Sequence, residues 1–145
     1  MEVNALVVGH VEPAAALTSA LVEAGLDAQL HAGTGTAADR NVTALAASML
    51  ELEARLVGET PALAVAVGFG DAPLALTLGA AKLGIPVVVW VEQDRPAADE
   101  AERAEARIMM QLANVDAGPV GAGVQVHRAA KRIRDWADEH LGPGS

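Results

Sequence analysis

Two acidic residues stand at the ends of buried apolar segments and are suited to proton-transfer chemistry. Asp71 follows the segment Ala62–Val67 across a glycine-rich turn, and Glu92 follows the segment Pro86–Val91. If both segments are parallel strands of one sheet, their carboxyl ends lie at the same edge. A pair of carboxylates there can remove a proton from carbon and return one. We therefore predict Asp71 and Glu92 as catalytic residues.

Each of these acids also has a simpler interpretation to be weighed. Asp71 precedes Pro73 and is well placed to cap a helix, in which case it needs no other role. Glu92 comes directly after an apolar strand, where a structural role is harder to find, and this favours function. Glu12 and Asp94 are typical of solvated loop positions, although Glu12 is retained as a candidate ligand contact.

Further polar and glycine-rich positions are expected at the same edge of the sheet, where small molecules bind in such proteins. The predicted substrate-binding residues are His10, Glu12, Gly33, Thr34, Gly35, Thr36, Gly68, Gly70 and Gln93. Their two Gly-x-Gly segments offer backbone N–H groups that can hold a phosphate. Neither has the full spacing of a Rossmann or P-loop motif. His10 is explained equally well by a hydrogen bond to the backbone of its loop.

Composition excludes several classes of protein. The 145 residues are 52% hydrophobic but only 2% aromatic, which is typical of a parallel sheet covered by alanine-rich helices. A net charge of -9 disfavours binding to nucleic acid. There are no cysteines, and no histidine has acids at metal-ligand spacing, so we expect no metal and no cofactor. No apolar run reaches the ~18 residues of a membrane span. Since a signal peptide is also not recognisable, we predict a cytoplasmic protein with no membrane partner.

The pattern of apolar residues predicts a single α/β domain over residues 1–141, followed by a flexible tail at 142–145. Its fold class is a doubly wound (Rossmann-like) parallel sheet of four to five strands with helices on both faces. The predicted strands are Val3–Val8, Asp27–His31, Ala62–Val67, Pro86–Val91 and, more weakly, Asn114–Val120. The predicted helices are Ala14–Ala24, Asn41–Val57, Ala72–Leu83, Ala97–Leu112 and Val124–Leu141.

Three of these helices carry predictions about packing. Ala72–Leu83 has only Thr77 and Lys82 as polar side chains, so one sheet face is not enough to cover it. We expect a second subunit against that helix, in a homodimer or with another partner. In the other two helices, the positions predicted to face the core are Leu45, Met49, Leu52, Leu56, Ile108, Met109 and Leu112.

The stretch from Pro61 to Asp94 resembles the amino-terminal half of the UDP-N-acetylglucosamine 2-epimerases, which have the glycosyltransferase-B architecture. The resemblance lies in Gly70-Asp71, in the segment from Ala80 to Val87 (AAKLGIPV) and in Val91-Glu92. It implies that Asp71 and Glu92 occupy positions of functional carboxylates. It also implies a reaction in which the proton beside the acetamido group is removed, UDP is eliminated, and UDP is added again from the other face.

The chain departs from that family's pattern at several positions. Ala72 replaces the family's threonine, Trp90 replaces its histidine, and residues 93–96 do not follow its continuation. The family's second domain, which grips the nucleotide, has no counterpart here, so we expect a second subunit to complete the site.

A weaker resemblance, better in length, is to ribose-5-phosphate isomerase B, whose relatives are dimers of single domains. It is carried by Gly33-Thr34-Gly35, Gly68-Phe69-Gly70, Asn114-Val115 and the last helix. The sequence thus predicts an isomerase or epimerase acting on a sugar nucleotide or sugar phosphate. The alternatives are a non-catalytic ligand-binding module derived from such an enzyme and an assembly module acting through Ala72–Leu83.

Overall fold

The fold was analysed in a computed structural model of the chain, which describes residues 3–9, 11–31, 42–91 and 99–141. Strands and helices alternate along the chain, as the sequence predicts. The strands are β1 (Asn4–Gly9), β2 (Asp27–Leu30), β3 (Leu63–Val67), β4 (Val87–Trp90) and β5 (Val115–Asp116). The helices are α1 (Val11–Glu23), α2 (Val42–Glu59), α3 (Asp71–Leu83), α4 (Glu100–Leu112) and α5 (Val124–His140). The predicted tail at 142–145 lies outside the described residues.

The five strands form one sheet in the order β2-β1-β3-β4-β5. Every neighbouring pair is parallel; for example, Val7 is opposite Val65 in β3, and Ala66 is opposite Val89 in β4. All residues of β3 and β4 are buried, which explains why their sequences are continuously apolar rather than alternating. The predicted fold class, a doubly wound parallel sheet, is confirmed.

Each face of the sheet carries its own core, because successive strand residues point to opposite sides. Val7, Val65 and Trp90 pack with helices α1 and α5 on one face. Val8, Ala66 and Val89 pack with helices α2, α3 and α4 on the other. The predicted placement of helices on both faces is therefore confirmed.

Helix α3 is covered from three sides by its own chain. It packs on the sheet and lies between α2 and α4, and Leu74, Ala75 and Leu76 are buried. A Cβ placed on Gly79 would lie 3.5 Å from the Leu56 side chain of α2, so the two helices approach closely. The second surface that the apolar sequence of α3 requires is thus supplied within the chain. Contact with another subunit through this helix stays a prediction.

Some finer predictions need correction. Met109, Leu52 and Leu56 are buried as predicted, but Ile108 is 43% exposed, and Met49 and Leu112 are each 36% exposed. Helix α4 begins at Glu100, capped by Asp99, whose carboxylate accepts from the N–H of Glu102. Strand β5 has only two residues, and Gly118 shortly after it has φ +95°. Within the described part of the chain, no helix combines the length and the apolar character needed to cross a lipid bilayer.

Candidate functional site

The carboxyl ends of β1 and β3 define the candidate site. These strands are neighbours, but the chain leaves β1 towards β2 on one side and leaves β3 towards β4 on the other. In open parallel sheets, a crevice forms where the connections from two neighbouring strands leave in opposite directions, and ligands bind in that crevice. Glu12 and the turn from Gly68 to Asp71 follow these two strands directly. The predicted edge is therefore the edge where this fold binds ligands.

Gly9 keeps the two strands together at the mouth of the crevice. It is the last residue of β1 and is paired with Val67 of β3. A Cβ at Gly9 would collide with the carbonyl oxygen of Val67 and would lie 2.7 Å from its Cβ. Since real side chains do not approach so closely, only glycine fits here without moving a strand.

The turn after β3 requires glycine at two positions for backbone reasons. Gly68 has φ +79° and Gly70 has φ +124°, values that other residues rarely adopt. Between them Phe69 is buried, and the N–H of Gly68 donates to the carbonyl of Trp90 at 2.9 Å. The Gly-x-Gly spacing is thus explained by the path of the chain, and it delivers Asp71 to the edge of the sheet.

Asp71 is not the N-cap of α3, contrary to the structural interpretation of this residue. Helix α3 begins at Asp71 itself, and its N-cap is Gly70, which has no side chain to cap the helix. The carbonyl of Gly70 accepts from the N–H of Leu74 at 3.2 Å, as an N-cap carbonyl does. Asp71 therefore stands half-buried in the first turn, where the helix dipole favours a carboxylate.

Glu12 holds the corresponding position after β1. Glu12 is exposed and lies in the first turn of α1, whereas the half-buried Asp71 lies in the first turn of α3. The two acids thus flank the crevice on adjacent strand–helix connections. The other predicted site residues lie outside the described residues: His10, Gly33, Thr34, Gly35, Thr36, Glu92 and Gln93.

The position two residues before Glu92 is described, and its side chain belongs to the core. Strand β4 lies next to β3, and its last residue, Trp90, is fully buried against α1 and α5. The indole Nε1 donates to the carbonyl of Pro119 at 3.0 Å. Trp90 is therefore bound into the fold at the position where the epimerase resemblance has a histidine.

A polar network that the sequence interpretation missed joins β2 to α2. His31 was interpreted only as the end of its strand. A guanidinium can only donate, so His31 Nδ1 accepts from Arg55 Nη1 at 2.7 Å, and Nε2 donates to Glu51 at 3.0 Å. Arg55 also donates to Gln29 and Glu59. The spacing of four between Glu51, Arg55 and Glu59 on one helix was the available signal. Since both ring nitrogens are engaged, this network holds α2 against the edge strand.

One cavity lies away from the crevice, and the described residues form no metal site. A cavity of about 250 Å³ opens at the opposite, amino edge of the sheet, lined by Asn4, Asp27, Gln29, Glu59 and neighbouring residues. That is the edge at which ligands do not bind in sheets of this type. Among the described residues, no three His, Asp or Glu side chains are grouped so that they could hold a metal ion.

Comparison with known proteins gives matches in structure only. No family model matches the chain, and no curated protein matches its sequence. UDP-N-acetylglucosamine 2-epimerase from Rickettsia bellii superimposes with a TM-score of 0.65 at 13% identity, over 97% of this chain and 48% of its own. The enzyme from Methanocaldococcus jannaschii matches with a TM-score of 0.61 at 16% identity, over 92% of this chain and 42% of its own.

A second structure of the Methanocaldococcus jannaschii enzyme, in complex with UDP-GlcNAc and UDP, matches with a TM-score of 0.60 at 16% identity, over 92% of this chain and 43% of its own. This chain thus spans less than half of the length of each of these structures. Identities this low show the fold alone. At the level of the fold, the predicted resemblance to the amino-terminal half of the UDP-N-acetylglucosamine 2-epimerases is confirmed.

Proposed function

We propose that this chain is an isomerase- or epimerase-like protein that binds a sugar nucleotide or sugar phosphate at the β1–β3 crevice. The observation that carries this is the position of Asp71. It follows the strand at the crevice and lies in the first turn of α3, where the N-cap position is held by Gly70. The likeness in fold to UDP-N-acetylglucosamine 2-epimerases, one of them solved with UDP-GlcNAc and UDP, supports the choice of ligand.

The chemistry requires a proton to leave a sugar carbon and another to be delivered to it. Asp71 and Glu92 are proposed as the two carboxylates, one acting as base while the other acts as acid. The first turns of α1 and α3 supply backbone N–H groups for a phosphate, with Gly68 and Gly70 beside them. His10, Glu12, Gly33, Thr34, Gly35, Thr36 and Gln93 are proposed to contact the sugar or the phosphate. A second subunit facing the crevice completes the site, and the protein acts in the cytoplasm.

Deuterium incorporation tests this function directly. In D2O, the full chain is incubated with UDP-GlcNAc and with a panel of sugar phosphates, and NMR follows exchange of carbon-bound protons. We expect exchange with at least one compound, reduced about 100-fold or more in Asp71→Asn and Glu92→Gln, because each variant lacks a group that transfers the proton. Glu23→Gln, at the far end of α1, is the matched control and should exchange as the unmodified chain does. Equal rates in all four proteins would refute the proposal.

A non-catalytic ligand-binding module is the second candidate, and the burial of Trp90 favours it. The side chain of Trp90 lies in the core and does not reach a ligand, whereas the epimerases that the sequence resembles have a histidine at this position. For this candidate, thermal shift with the same compounds should show binding that Asp71→Asn weakens, while NMR shows no exchange. Exchange above the buffer rate would exclude it.

A further inference from the structure

Charges are separated along helix α5. Residues 124–134, called the basic half, include three arginines and one lysine but no acid, whereas residues 135–140 include three acids. The N-terminal end of a helix carries a partial positive charge, so cations stabilise a helix near its C-terminus and acids near its N-terminus. The order on α5 is the reverse of this. The stability of the helix therefore does not explain its basic half.

Two arginines of the basic half are exposed and make no ion pair with a residue that the structure describes: Arg128 and Arg132. The other two cations, Lys131 and Arg134, each pair with an acid four residues further along the helix. Arg128 and Arg132 are themselves four residues apart, and like charges at that spacing destabilise a helix. Since acids outnumber Lys and Arg by 19 to 10 in this chain, composition does not explain the missing partners.

We propose that Arg128 and Arg132 together bind the phosphate group of a small molecule on the outer side of α5. A guanidinium carries its N–H donors in a planar fork that matches the oxygens of a phosphate. On a helix, the Cβ atoms of residues four apart are about 5–6 Å from each other, so both side chains can reach one phosphate. The anion then supplies the negative charge that this pair lacks within the helix.

The rest of α5 limits the size of the anion. Three exposed acids follow Arg132 on the same helix: Asp135, Asp138 and Glu139. The first of them is three residues beyond Arg132, or about 4.5 Å along the helix axis. An extended polyanion lying along α5 would meet these carboxylates and be repelled, whereas a single phosphate would not. A phosphate monoester carries close to two negative charges near pH 7, which matches two guanidinium groups. The expected ligand is therefore a compact phosphate monoester.

The arginine pair lies towards the carboxyl edge of the sheet but outside the crevice. Trp90, the last residue of β4, donates to the carbonyl of Pro119, so the segment that leads into α5 lies at this edge. The buried residues of α5 face the sheet, and Arg128 and Arg132 are on the opposite side of the helix. The phosphate site is therefore separate from Asp71, and it does not depend on the proposed function.

Titration with methyl phosphate tests the site, with NMR of the arginine Nε–H groups in the ¹⁵N-labelled full chain as the readout. We expect millimolar binding, with the largest shifts at Arg128 and Arg132. Arg128→Gln and Arg132→Gln should each weaken binding about fivefold or more, because each removes one of two charged donors. Asp71→Asn should bind as the unmodified chain does, so failure of the proposed function would leave this result unchanged. No shift at the two arginines, or no loss of affinity in their variants, would overturn the inference.

Arg107→Gln is the matched control for these variants. Arg107 is exposed on α4 and also lies four residues after an arginine, but three glutamates lie within three residues of that pair. This variant should bind methyl phosphate as the unmodified chain does. Dimethyl phosphate has one negative charge and should bind at least about threefold more weakly than methyl phosphate, because the second guanidinium then has no charge to neutralise. Equal losses in Arg107→Gln and Arg132→Gln, or equal affinities for the two esters, would contradict the assignment.

Thermal unfolding separates a binding role from a structural one. Arg132→Gln removes a pair of like charges, so without ligand its unfolding temperature should be about 1 °C higher than that of the unmodified chain. Saturating methyl phosphate should raise the unfolding temperature of the unmodified chain more than that of the variant, since a ligand stabilises the folded state to which it binds. A lower unfolding temperature for Arg132→Gln without ligand would show that Arg132 stabilises the helix, and would overturn the inference.

Discussion

The two helix layers of this protein differ in the polarity of their solvent-exposed residues. On α5, nine residues are exposed, and eight of them are charged residues or histidines. On α2, only two of eleven exposed residues carry charge. Both helices cover a face of the same sheet, so the difference lies in what their outer sides face. The surface of α5 is suited to water, whereas that of α2 is suited to another apolar surface.

The layers are also held together by different contacts. In the layer of α1 and α5, Arg134 donates to the carbonyl of Ala24, just beyond the last residue of α1, and also to both oxygens of Asp138. In the layer of α2, α3 and α4, an apolar contact between Gly79 and Leu56 brings α3 and α2 close together. Polar groups thus connect the helices of one layer and close packing connects those of the other.

The largest expected effect tests the core on the α1–α5 side. Trp90 is fully buried there, and Trp90→Ala should lower the free energy of unfolding by about 3–5 kcal/mol, because it leaves a void and removes the donor to Pro119. Leu56→Ala, on the buried side of α2, should lower the free energy of unfolding by about 3 kcal/mol. Urea unfolding of both variants at one protein concentration measures the difference. A loss below 1 kcal/mol for Trp90→Ala would mean that this layer does not depend on its fully buried tryptophan.

Two glycine substitutions should have opposite signs. Gly9→Ala forces a Cβ against Val67 and should destabilise by about 1–3 kcal/mol, as overpacking does. Gly79→Ala places its Cβ at ordinary contact distance from Leu56, inside a helix, and should stabilise by about 0.5–1 kcal/mol. Thermal unfolding of the two variants measures both. If Gly79→Ala is destabilising instead, α2 and α3 are packed too tightly to accept one methyl group.

The sequence predicts the sheet of this protein better than it predicts the helix surfaces. Buried parallel strands are recognisable from continuous apolar runs such as Leu63–Val67, and Gly25 marks the end of α1 because it adopts φ +97°. The sequence also shows that α3 is apolar nearly all round. Which element covers that surface depends on the topology, and α2 and α4 do so, which composition alone does not specify.

The candidate site was predictable in position and less so in detail. Asp71 follows from the strand–turn–helix pattern, but its place within α3 depends on the backbone angles of Gly70, with φ +124°, and these angles cannot be read from the sequence. The His31 network depends on side chains brought together from β2 and α2. Spacing on α2 places Glu51 and Arg55 on one face of the helix, but only the fold identifies their partner.

A smaller effect tests the polar attachment of α5 to α1. Arg134→Met keeps most of the volume of the side chain but removes the donor to the carbonyl of Ala24. Because Arg134 is 40% exposed, we expect a loss of only about 1 kcal/mol, below the usual range for a hydrogen bond to a charged group. Urea unfolding at pH 7 measures it. No change would mean that apolar packing alone attaches α5.

Lys131→Met is the matched control and the smallest expected effect. Lys131 Nζ lies 2.8 Å from Asp135, and within the described part of the chain it has no hydrogen bond outside α5. The hydrogen bond to Asp135 and its charge raise the pKa of Lys131 above the ordinary 10.5. A pKa raised by folding means that the pair stabilises at neutral pH and ceases to do so as the pH rises past 10.5 through the raised value. Since water and salt screen so exposed a pair, Lys131→Met should unfold at the same urea concentration as the unmodified chain at pH 7. If Lys131→Met lowers the urea concentration of unfolding as much as Arg134→Met does, ion pairs along α5 stabilise this layer, and the contact with α1 contributes little.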